Sequence, residues 1–326
     1  MNLTTRPTEK KRILGCKYCV TSPSCDKPAL KENGYISYQC EDCDNIYISP
    51  LPDLADVENL YGHDSANISA QRHLMPSRFK ELHAREVLKA LQKFKRSGKL
   101  LEIGIGGGTF LRAAHDAGFE VCGSDYNPIQ ISEVSRRYGF RCERGDYKTA
   151  FAGEKFDVIV HVDVLSHFRD PIAEFEAMSA MLNPDGVMLF QTGNFGDLSP
   201  SRRWLVDKWQ YPDHLYFFSE KGLGQLMEQA GLEPLFIARY SRSVEFRFHK
   251  FLQLLMSFRH KKPIPTEKAA SNGIASLKAP KTRNPVIRFA TDCKGRLDHA
   301  LQFQLGRVLP KFGRPQTLTV VCKKVR

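Results

Sequence analysis

Long hydrophobic runs are missing from this sequence. The most apolar segment, FLQLLMSF at 251–258, is far shorter than the ~20 residues that a membrane-spanning helix needs. The first fifteen residues, MNLTTRPTEKKRILG, lack the apolar core of a signal peptide. We therefore expect a cytoplasmic protein without a transmembrane segment. Thiols stay reduced in that compartment, so we expect the nine cysteines to be thiols or metal ligands rather than disulfides.

Two common nucleotide-binding motifs are also missing. The stretch LEIGIGGGTF at 101–110 places four glycines in five positions. No Gly-Lys-Ser/Thr follows them, which excludes a Walker phosphate loop. A dinucleotide fingerprint, G-x-G-x-x-G, would need its third glycine where Thr109 stands. The spacing that remains is G-x-G-x-G, formed by Gly104, Gly106 and Gly108.

A strand that runs into a glycine loop and a helix start forms a nucleotide-type site, because backbone N–H groups approach the ligand where no Cβ intervenes. Asp125 ends the next predicted strand, twenty-one residues after Gly104. Its carboxylate can accept hydrogen bonds from both ribose hydroxyls. Asp146 ends the third strand at the same sheet edge, where it can accept from an adenine amino group. This pattern suits NAD and S-adenosylmethionine alike.

Predicted strands and helices alternate up to Tyr240. The strands are KLLEIGI (99–105), FEVCGSD (119–125), FRCERGD (140–146), FDVIVHVD (156–163), VMLFQTG (187–193) and LEPLFIARY (232–240). A helix over 77–97 precedes these strands and ends at Gly98. NPDG at 183–186 is a turn, and Ser219 begins the helix that precedes the strand at 232–240. This alternation predicts an α/β fold, a doubly wound and mostly parallel sheet.

The alternation stops after Tyr240. We expect an amphipathic helix over 244–258, a loop rich in proline and lysine over 259–286, a helix over 285–306 and a final strand over 317–325. Between Arg239 and Arg296, fourteen Lys or Arg residues stand against three acids, which accounts for most of the net charge of +12. Such a stretch could attract a phosphate-bearing substrate, a nucleic acid or an anionic membrane surface, although charge runs are more often solvated.

Two cysteine pairs mark the N-terminal segment. Cys16 and Cys19 form one C-x2-C, and Cys40 and Cys43 form a second, with twenty residues between the pairs. Two such knuckles predict a tetrahedral zinc site of four thiolates. The zinc would be structural, since four cysteines leave no open coordination position. Metal binding would stabilise a β-rich segment that is too short to form a core of its own.

Several motifs in the right order resemble class I S-adenosylmethionine-dependent methyltransferases. They are LEIGIGGGTFL (101–111), FDVIVHVDVLSHFRDP (156–171), LNPDGVMLFQTGN (182–194) and PDHLYFFSEKGLGQLMEQAGL (212–232). The chain is most similar to small-molecule methyltransferases with a zinc-ribbon leader. The resemblance implies a seven-stranded, Rossmann-like sheet whose last strand, TLTVVCKK, runs antiparallel.

The resemblance also implies where the cofactor binds. Glu102 and the three glycines of the G-x-G-x-G frame would line the methionine part of S-adenosylmethionine. Asp125 would hold the ribose, with Tyr126 beside it, and Asp146 would face the adenine.

The fourth strand and its end are implied to border the methyl group. His161 and Val162 belong to this stretch, residues 161–164. Relatives often carry Glu directly before the histidine that corresponds to His167, where this chain has Ser166. A metal or catalytic role of that glutamate is therefore not assigned to this chain.

Five segments follow from these patterns. They are a zinc-ribbon module (1–52), a helical lead-in (53–99), the cofactor-binding core (100–240), a basic helical insertion or lid (241–315) and the final strand of the core (316–326).

Transfer to a hydroxyl or carbon nucleophile needs a base near the methyl group. His214, in YPDHLYFF at 211–218, and His167, after the fourth strand, are the candidates, although a lone histidine is more often structural. Aromatic residues near them either wall an acceptor pocket or pack beneath a loop. They are Trp204, Trp209, Tyr211, Tyr216, Phe217 and Phe218.

The favoured hypothesis is methylation of a small-molecule acceptor at oxygen, or at carbon, by in-line transfer. No Asn-Pro-Pro-Tyr stands after the fourth strand, where the chain reads HVDVL. In similar enzymes this motif accepts hydrogen bonds from a planar amino group, so its absence disfavours methylation of the amino groups of nucleic-acid bases. One alternative is a macromolecular methyltransferase whose ribbon and basic insertion grip RNA, DNA or protein; another is a non-catalytic module. Nucleic acid is not the favoured partner, and the insertion is expected to act as a lid or to make peripheral membrane contact.

Overall fold

Two β-sheets and the helices around them make up the fold. The computed structural model describes residue 16 and residues 27–53, 70–206, 208–242, 244–245, 247–252, 285–308 and 316–325. The strands are β1 (Lys27–Glu32), β2 (Tyr35–Gln39), β3 (Ile46–Ile48), β4 (Gly98–Ile103), β5 (Phe119–Asp125), β6 (Arg141–Arg144), β7 (Phe156–Val162), β8 (Leu182–Gly193), β9 (Tyr216–Phe217), β10 (Leu232–Tyr240) and β11 (Thr317–Lys324). The labelled helices are α1 (Arg78–Leu91), α2 (Thr109–Asp116), α3 (Pro128–Tyr138), α4 (Tyr147–Ala150), α5 (Pro171–Met181), α6 (Glu220–Gln229), α7 (Pro285–His299) and α8 (Gly306–Val308).

The larger sheet has seven strands in the order β6-β5-β4-β7-β8-β11-β10. Strand β4 pairs in parallel with β5 and β7, β5 with β6, and β7 with β8. Strand β11 is antiparallel to both of its neighbours, β8 and β10. This confirms the doubly wound, mostly parallel sheet and its antiparallel last strand. Because parallel strands end together, the carboxyl ends of β4 to β7 form one edge, where ligands of such sheets bind.

Helices cover both faces of this sheet. Leu100 belongs to the cluster that α1, α2 and α3 form on one face, and Leu101 to the cluster of α5 and α6 on the other. Val158 and Ile159 divide between the two faces in the same way. Since adjacent strand residues point to opposite faces, strands buried on both sides are apolar at consecutive positions. This double burial accounts for the continuous apolar runs in the sequence.

Side-chain caps begin four of the labelled helices, α3 to α6, and two of them illustrate how. Asn127 Oδ1 accepts a hydrogen bond from the Ile129 N–H at 3.0 Å and begins α3. Ser219 begins α6, as predicted, and its hydroxyl accepts from the Gly222 N–H at 2.8 Å. Each cap satisfies an N–H that the first helical turn leaves without a partner.

Two predicted boundaries are wrong. The helix expected over 77–97 ends at Leu91, and Gly98 instead begins β4 with a φ of 119°. The NPDG stretch lies within β8, where it bulges between the pairs Phe156–Leu182 and Val158–Val187. Asn183 Nδ2 donates to Asp157 Oδ1 at 2.8 Å across this bulge. The turn-forming residues of NPDG therefore form a bulge within one strand instead of a turn between two elements.

The smaller sheet joins the cysteine-rich segment to the core. Its order is β1-β2-β3-β9, and β9 comes from the loop between β8 and α6. Ile46 pairs with Phe217 and Tyr47 with Tyr216. Asn45 Oδ1 accepts from the Ser219 N–H at 2.8 Å. The N-terminal segment therefore adds three strands to a short strand of the core chain, and sequence patterns did not predict this pairing.

The C-terminal helices pack against α1 and β10. The Phe303 ring lies 4.9 Å from that of Tyr240 and 5.0 Å from that of His83, between centroids. Of the predicted basic insertion, residues 243, 246, 253–284 and 309–315 lie outside the described residues. At the start of α7, Val286 and Phe289 are exposed. None of the helices that the structure describes is both long and apolar enough to cross a membrane. Membrane or nucleic-acid contact by the insertion stays a prediction.

Candidate active site

The glycine loop lies at the carboxyl end of β4, where the chain turns into α2. Gly104, Gly106 and Gly108 have φ values of 76°, 52° and 70°, a region that residues with side chains rarely adopt. A Cβ on Gly104 would lie 2.4 Å from Val164 Cγ2, and one on Gly108 would lie 2.8 Å from Val134 Cγ1. The loop thus needs glycine for its backbone conformation and for the close approach of its neighbours.

Asp125 ties this loop to the end of β5. Its Oδ2 accepts a hydrogen bond from the Gly106 N–H at 3.0 Å, and its Oδ1 accepts from the Asn127 N–H at 2.9 Å. Burial raises the pKa of Asp125, while the N–H donors of Asn127, Gly106 and Tyr126 oppose that increase. These three donors leave one of the roughly four acceptor positions of the carboxylate, so Asp125 can still accept from a hydroxyl of a diol that lies on the loop.

Tyr126 and Asp146 lie next along the same sheet edge. The Gly145 N–H donates to the Asp125 carbonyl oxygen at 2.9 Å, which brings the end of β6 beside the end of β5. Asp146 caps α4 by accepting from the Lys148 N–H at 2.9 Å. The Tyr126 side chain is 70% exposed, which is unusual for a large aromatic ring. A ring and a carboxylate placed together suit a planar heterocycle with an amino group.

Two other predicted cofactor residues have buried side chains. Burial raises the pKa of Glu102 well above its ordinary value, although the carboxyl group accepts from the Leu111 N–H. His161 is fully buried, stacks on Phe190 with 5.5 Å between ring centroids, and has its pKa lowered by burial to about 3. Val162 is half-buried. The side chains of Glu102 and His161 therefore lie inside the protein, and contact of these three residues with a cofactor stays a prediction.

A cluster of three polar side chains joins the end of β7 to the loop before β9. His167 Nδ1 lies 3.1 Å from Asp213 Oδ1 and 2.9 Å from the Asp213 carbonyl oxygen. The His214 ring is nearly perpendicular to that of His167, with 4.8 Å between centroids. The Leu215 N–H donates to the Ser166 carbonyl oxygen at 2.8 Å. The structure thus brings both predicted histidines together and adds Asp213 to them.

The environment gives the two histidines opposite protonation behaviour. Burial alone would lower the pKa of His167, but its hydrogen bonds with Asp213 and the negative charge of that residue outweigh burial and raise the pKa above the ordinary value. Burial and the neighbouring His167 lower the pKa of His214 to about 4. At neutral pH, His214 is therefore uncharged. The ligating atoms of His167, Asp213 and His214 lie within 4.8 Å of one another, so the cluster could also hold a cation.

The aromatic residues of this loop are packed inside the protein. Trp209, Tyr211, Tyr216, Phe217 and Phe218 are all buried, and the side chain of Trp204 lies outside the described residues. The ring of Trp209 meets that of Phe217 edge-on, with 4.9 Å between centroids. Of the two predicted roles, packing beneath the loop fits this burial.

A family model described as "Methyltransferase domain" matches residues 72–235, just over half of the chain. The chain belongs to this methyltransferase family. The matched region contains the glycine loop, Asp125, Asp146 and the cluster of His167, Asp213 and His214. The predicted family is therefore confirmed.

Curated relatives of this methyltransferase domain are bacterial enzymes. A "Ubiquinone biosynthesis O-methyltransferase" of Cereibacter sphaeroides is 31% identical over 158 residues, covering 42% of this chain and 61% of the relative. A protein of the same name from Actinobacillus pleuropneumoniae is 36% identical over 110 residues, covering 29% of this chain and 46% of the relative. The chain thus spans about three fifths or less of the length of these relatives.

Solved structures of methyltransferases also align with the chain. A SAM-dependent methyltransferase from Archaeoglobus fulgidus has a TM-score of 0.46 at 18% identity, covering 75% of this chain and 94% of that one. The N-methyltransferase NodS from Bradyrhizobium japonicum, in complex with S-adenosyl-L-homocysteine, has a TM-score of 0.43 at 20% identity, covering 54% of this chain and 90% of that one.

Three of the four predicted zinc ligands of this methyltransferase lie together. The sulfur atoms of Cys16, Cys40 and Cys43 lie within 4.8 Å of one another, and those of Cys16 and Cys43 are 3.6 Å apart. Two 2.3 Å zinc–sulfur bonds at a tetrahedral angle would place the sulfur atoms about 3.8 Å apart, which this separation fits. The fourth predicted ligand, Cys19, lies outside the described residues.

Sequence reasoning missed two residues that hold the loop before β9 and the histidine cluster. Asp213 stands directly before His214, and this adjacency was the available signal. Glu32, at the end of β1, accepts from the Trp209 N–H at 2.9 Å and from the Tyr211 N–H at 3.2 Å. No local pattern indicates that contact, because it forms only when the small sheet packs on the loop.

Proposed function

We propose that this chain is an S-adenosylmethionine-dependent methyltransferase that methylates a hydroxyl group of a small molecule. The observation that carries the proposal is the hydrogen bond that the Gly106 N–H donates to the Asp125 carboxylate. It places a carboxylate that can accept from a diol against a glycine loop, within a domain of the methyltransferase family. The donors and acceptors at this edge fit the cofactor. Gly104 to Gly108 would hold its methionine part, Asp125 the ribose, and Tyr126 with Asp146 the adenine.

When bound, S-adenosylmethionine supplies a methyl group on a positively charged sulfur, ready for in-line displacement. The chain itself orients the acceptor, excludes water and removes the hydroxyl proton. His167 suits the last task, because its contact with Asp213 fixes one ring nitrogen and raises the pKa of the imidazole. The other ring nitrogen would take the proton. His214 would lie beside it as a neutral group.

Oxygen is the favoured acceptor atom for two reasons. The curated relatives are named as O-methyltransferases, and a histidine held by a carboxylate supplies the base that a hydroxyl needs. A carbon nucleophile would use the same base and is the second candidate. No contact among the described residues specifically favours a macromolecular acceptor.

Isotope-labelled S-adenosylmethionine tests the proposal directly. Wild-type protein is incubated with labelled cofactor and fractionated small-metabolite pools, and mass spectrometry identifies the product that gains label. We expect label in a hydroxyl-bearing small molecule, as a methyl ether. Label that appears only in protein or RNA would contradict the small-molecule acceptor, and no transfer to any pool would contradict the proposed activity. Parallel reactions with EDTA show whether a cation at the histidine cluster takes part.

We further propose that Cys16, Cys19, Cys40 and Cys43 bind a structural zinc ion. The support is the 3.6 Å separation of two of these sulfur atoms and the tight turn between Cys40 and Asn45, where the Cys40 N–H donates to the Asn45 carbonyl oxygen at 2.9 Å. Asp44 completes this turn with a φ of 61°. The ion would hold the small sheet, and through Asn45 it would hold the start of α6.

Replacing Cys40 with serine is expected to remove the zinc and lower the thermal unfolding temperature. Metal binding supplies much of the folding free energy of a segment this short, so its loss should release the small sheet. Mass spectrometry measures bound zinc, and differential scanning fluorimetry measures unfolding. Cys293→Ser is the matched control, because Cys293 is an exposed thiol on α7. Equal zinc content in the two variants would reject the site.

A further inference from the structure

Gly107 stands apart from the other three glycines of the loop. It lies outside the G-x-G-x-G frame, and its φ is not in the left-handed region. A Cβ on Gly107 would lie 2.2 Å from the His73 carbonyl oxygen and 3.0 Å from the His73 carbonyl carbon, closer than two such atoms can approach. Glycine is required here because the backbone of the short segment 70–76 packs directly on the loop.

Lys80 holds this segment in place. Its Nζ donates to the carbonyl oxygens of Arg72, His73 and Met75, at 2.7, 2.9 and 3.3 Å. Residues 70–74 form a helical turn, and the carbonyl groups at the end of such a turn lack partners within it. A single ammonium group from α1 satisfies three of them. The His73 carbonyl oxygen therefore has two roles, because it accepts from Lys80 and covers Gly107.

The His73 imidazole lies over the neighbouring glycine of the loop. Its Nδ1 would be 3.4 Å from a Cβ on Gly106, the residue whose N–H donates to Asp125. Partial burial and the charges of Lys80 and Arg72 lower the pKa of His73. The ring is thus neutral at pH 7 and carries one donor and one acceptor. Among the described residues no group hydrogen-bonds to this ring.

We propose that residues 70–76 form the outer wall of the cofactor cradle, that His73 contacts the amino-acid end of S-adenosylmethionine, and that Lys80 and Gly107 position this wall. The inference rests on the proposed function, since it requires the cofactor to lie on the glycine loop. An amino-acid end carries an ammonium and a carboxylate group. A neutral imidazole can accept a hydrogen bond from the first or donate one to the second.

Gly107→Ala is the first test, with S-adenosylhomocysteine as the probe and isothermal titration calorimetry as the measurement. The added methyl group displaces the His73 carbonyl oxygen, and we expect binding to weaken about tenfold, the effect of one or two lost hydrogen bonds. Gly224→Ala is the matched control, because Gly224 lies in α6 and an added Cβ there meets nothing within 4 Å. Equal affinity of the two variants would overturn the inference.

Lys80→Met is the second test, because it keeps most of the length of the side chain and removes its three hydrogen bonds. We expect a similar loss of affinity, together with faster amide hydrogen exchange in residues 70–76. His73→Ala should weaken binding while exchange in this segment stays as in wild type, since the backbone wall is intact. If Lys80→Met speeds exchange but binds the probe as wild type does, the wall is structural only and the inference fails.

Wild-type protein separates this inference from the proposed function. Saturating S-adenosylhomocysteine should slow amide exchange in residues 70–76 as well as in the glycine loop. Protection of the loop without protection of 70–76 would overturn the inference and leave the proposed function standing. No binding of the probe by wild type would reject the proposed function, and the inference with it.

Discussion

Replacing Asp125 with alanine is expected to weaken S-adenosylhomocysteine binding by at least about a hundredfold. The carboxylate would accept a hydroxyl hydrogen bond from the ribose, and hydrogen bonds to a charged group contribute about 1.5–3 kcal/mol each. The variant also loses the bond from the Gly106 N–H at 3.0 Å, which releases the loop. Isothermal titration calorimetry with S-adenosylhomocysteine measures both effects together.

Two further variants make this result specific. Asp125→Asn keeps one oxygen acceptor and should lose less affinity than Asp125→Ala. Asp116→Asn is the surface control, since Asp116 is exposed at the end of α2 and pairs with Arg112 at 2.7 Å. Wild-type affinity in Asp125→Ala would show that the diol lies elsewhere and that the loop does not bind the cofactor as proposed.

Asp213→Asn is expected to lower kcat by about tenfold to a hundredfold, a typical effect of impairing a general base. Asp213 favours the charged form of His167, so the raised pKa of His167 should fall when this negative charge is removed. A base acts when deprotonated, and kcat should therefore rise with pH through the His167 pKa. In Asp213→Asn, we expect that rise at lower pH and a lower plateau above it. The measurement is a pH–rate profile with the acceptor that the labelling screen identifies.

Cofactor affinity is the internal control for this variant. Asp213 contacts His167 at 3.1 Å on the proposed acceptor side of the site, so S-adenosylhomocysteine should bind Asp213→Asn as it binds wild type. His214→Gln provides the comparison, because His214 is already neutral near pH 7 and its loss should leave the position of the pH profile nearly unchanged. A profile that moves with His214→Gln and stays fixed with Asp213→Asn would assign the base to His214.

The local geometry at the proposed cofactor side was predictable because its signals are local. Gly104, Gly106 and Gly108 are needed for positive φ, and Asp125 ends a strand, so short stretches of sequence carried the geometry. The parallel sheet then brought these strand ends to one edge, as the β-α alternation requires. Double burial produced the continuous apolar runs from which the strands themselves were predicted.

The proposed acceptor side was predictable only in part, because its contacts join residues that are far apart in the sequence. His167 and His214 were candidates from sequence, but Asp213 gains its role from a loop that approaches the end of β7. Glu32 binds backbone N–H groups more than 170 positions away. No separate reason for glycine at position 107 was visible in the sequence. The requirement comes from the His73 backbone, which lies too close for a side chain at this position. None of these three contacts leaves a periodic signal in sequence.

Strand β9 is two residues long, and its neighbour in the small sheet is β3, from the cysteine-rich segment. Truncation before residue 53 would therefore not yield a minimal enzyme. It would leave the buried side chains of Tyr216 and Phe217 without their covering strand and would free the loop that carries Asp213 and His214.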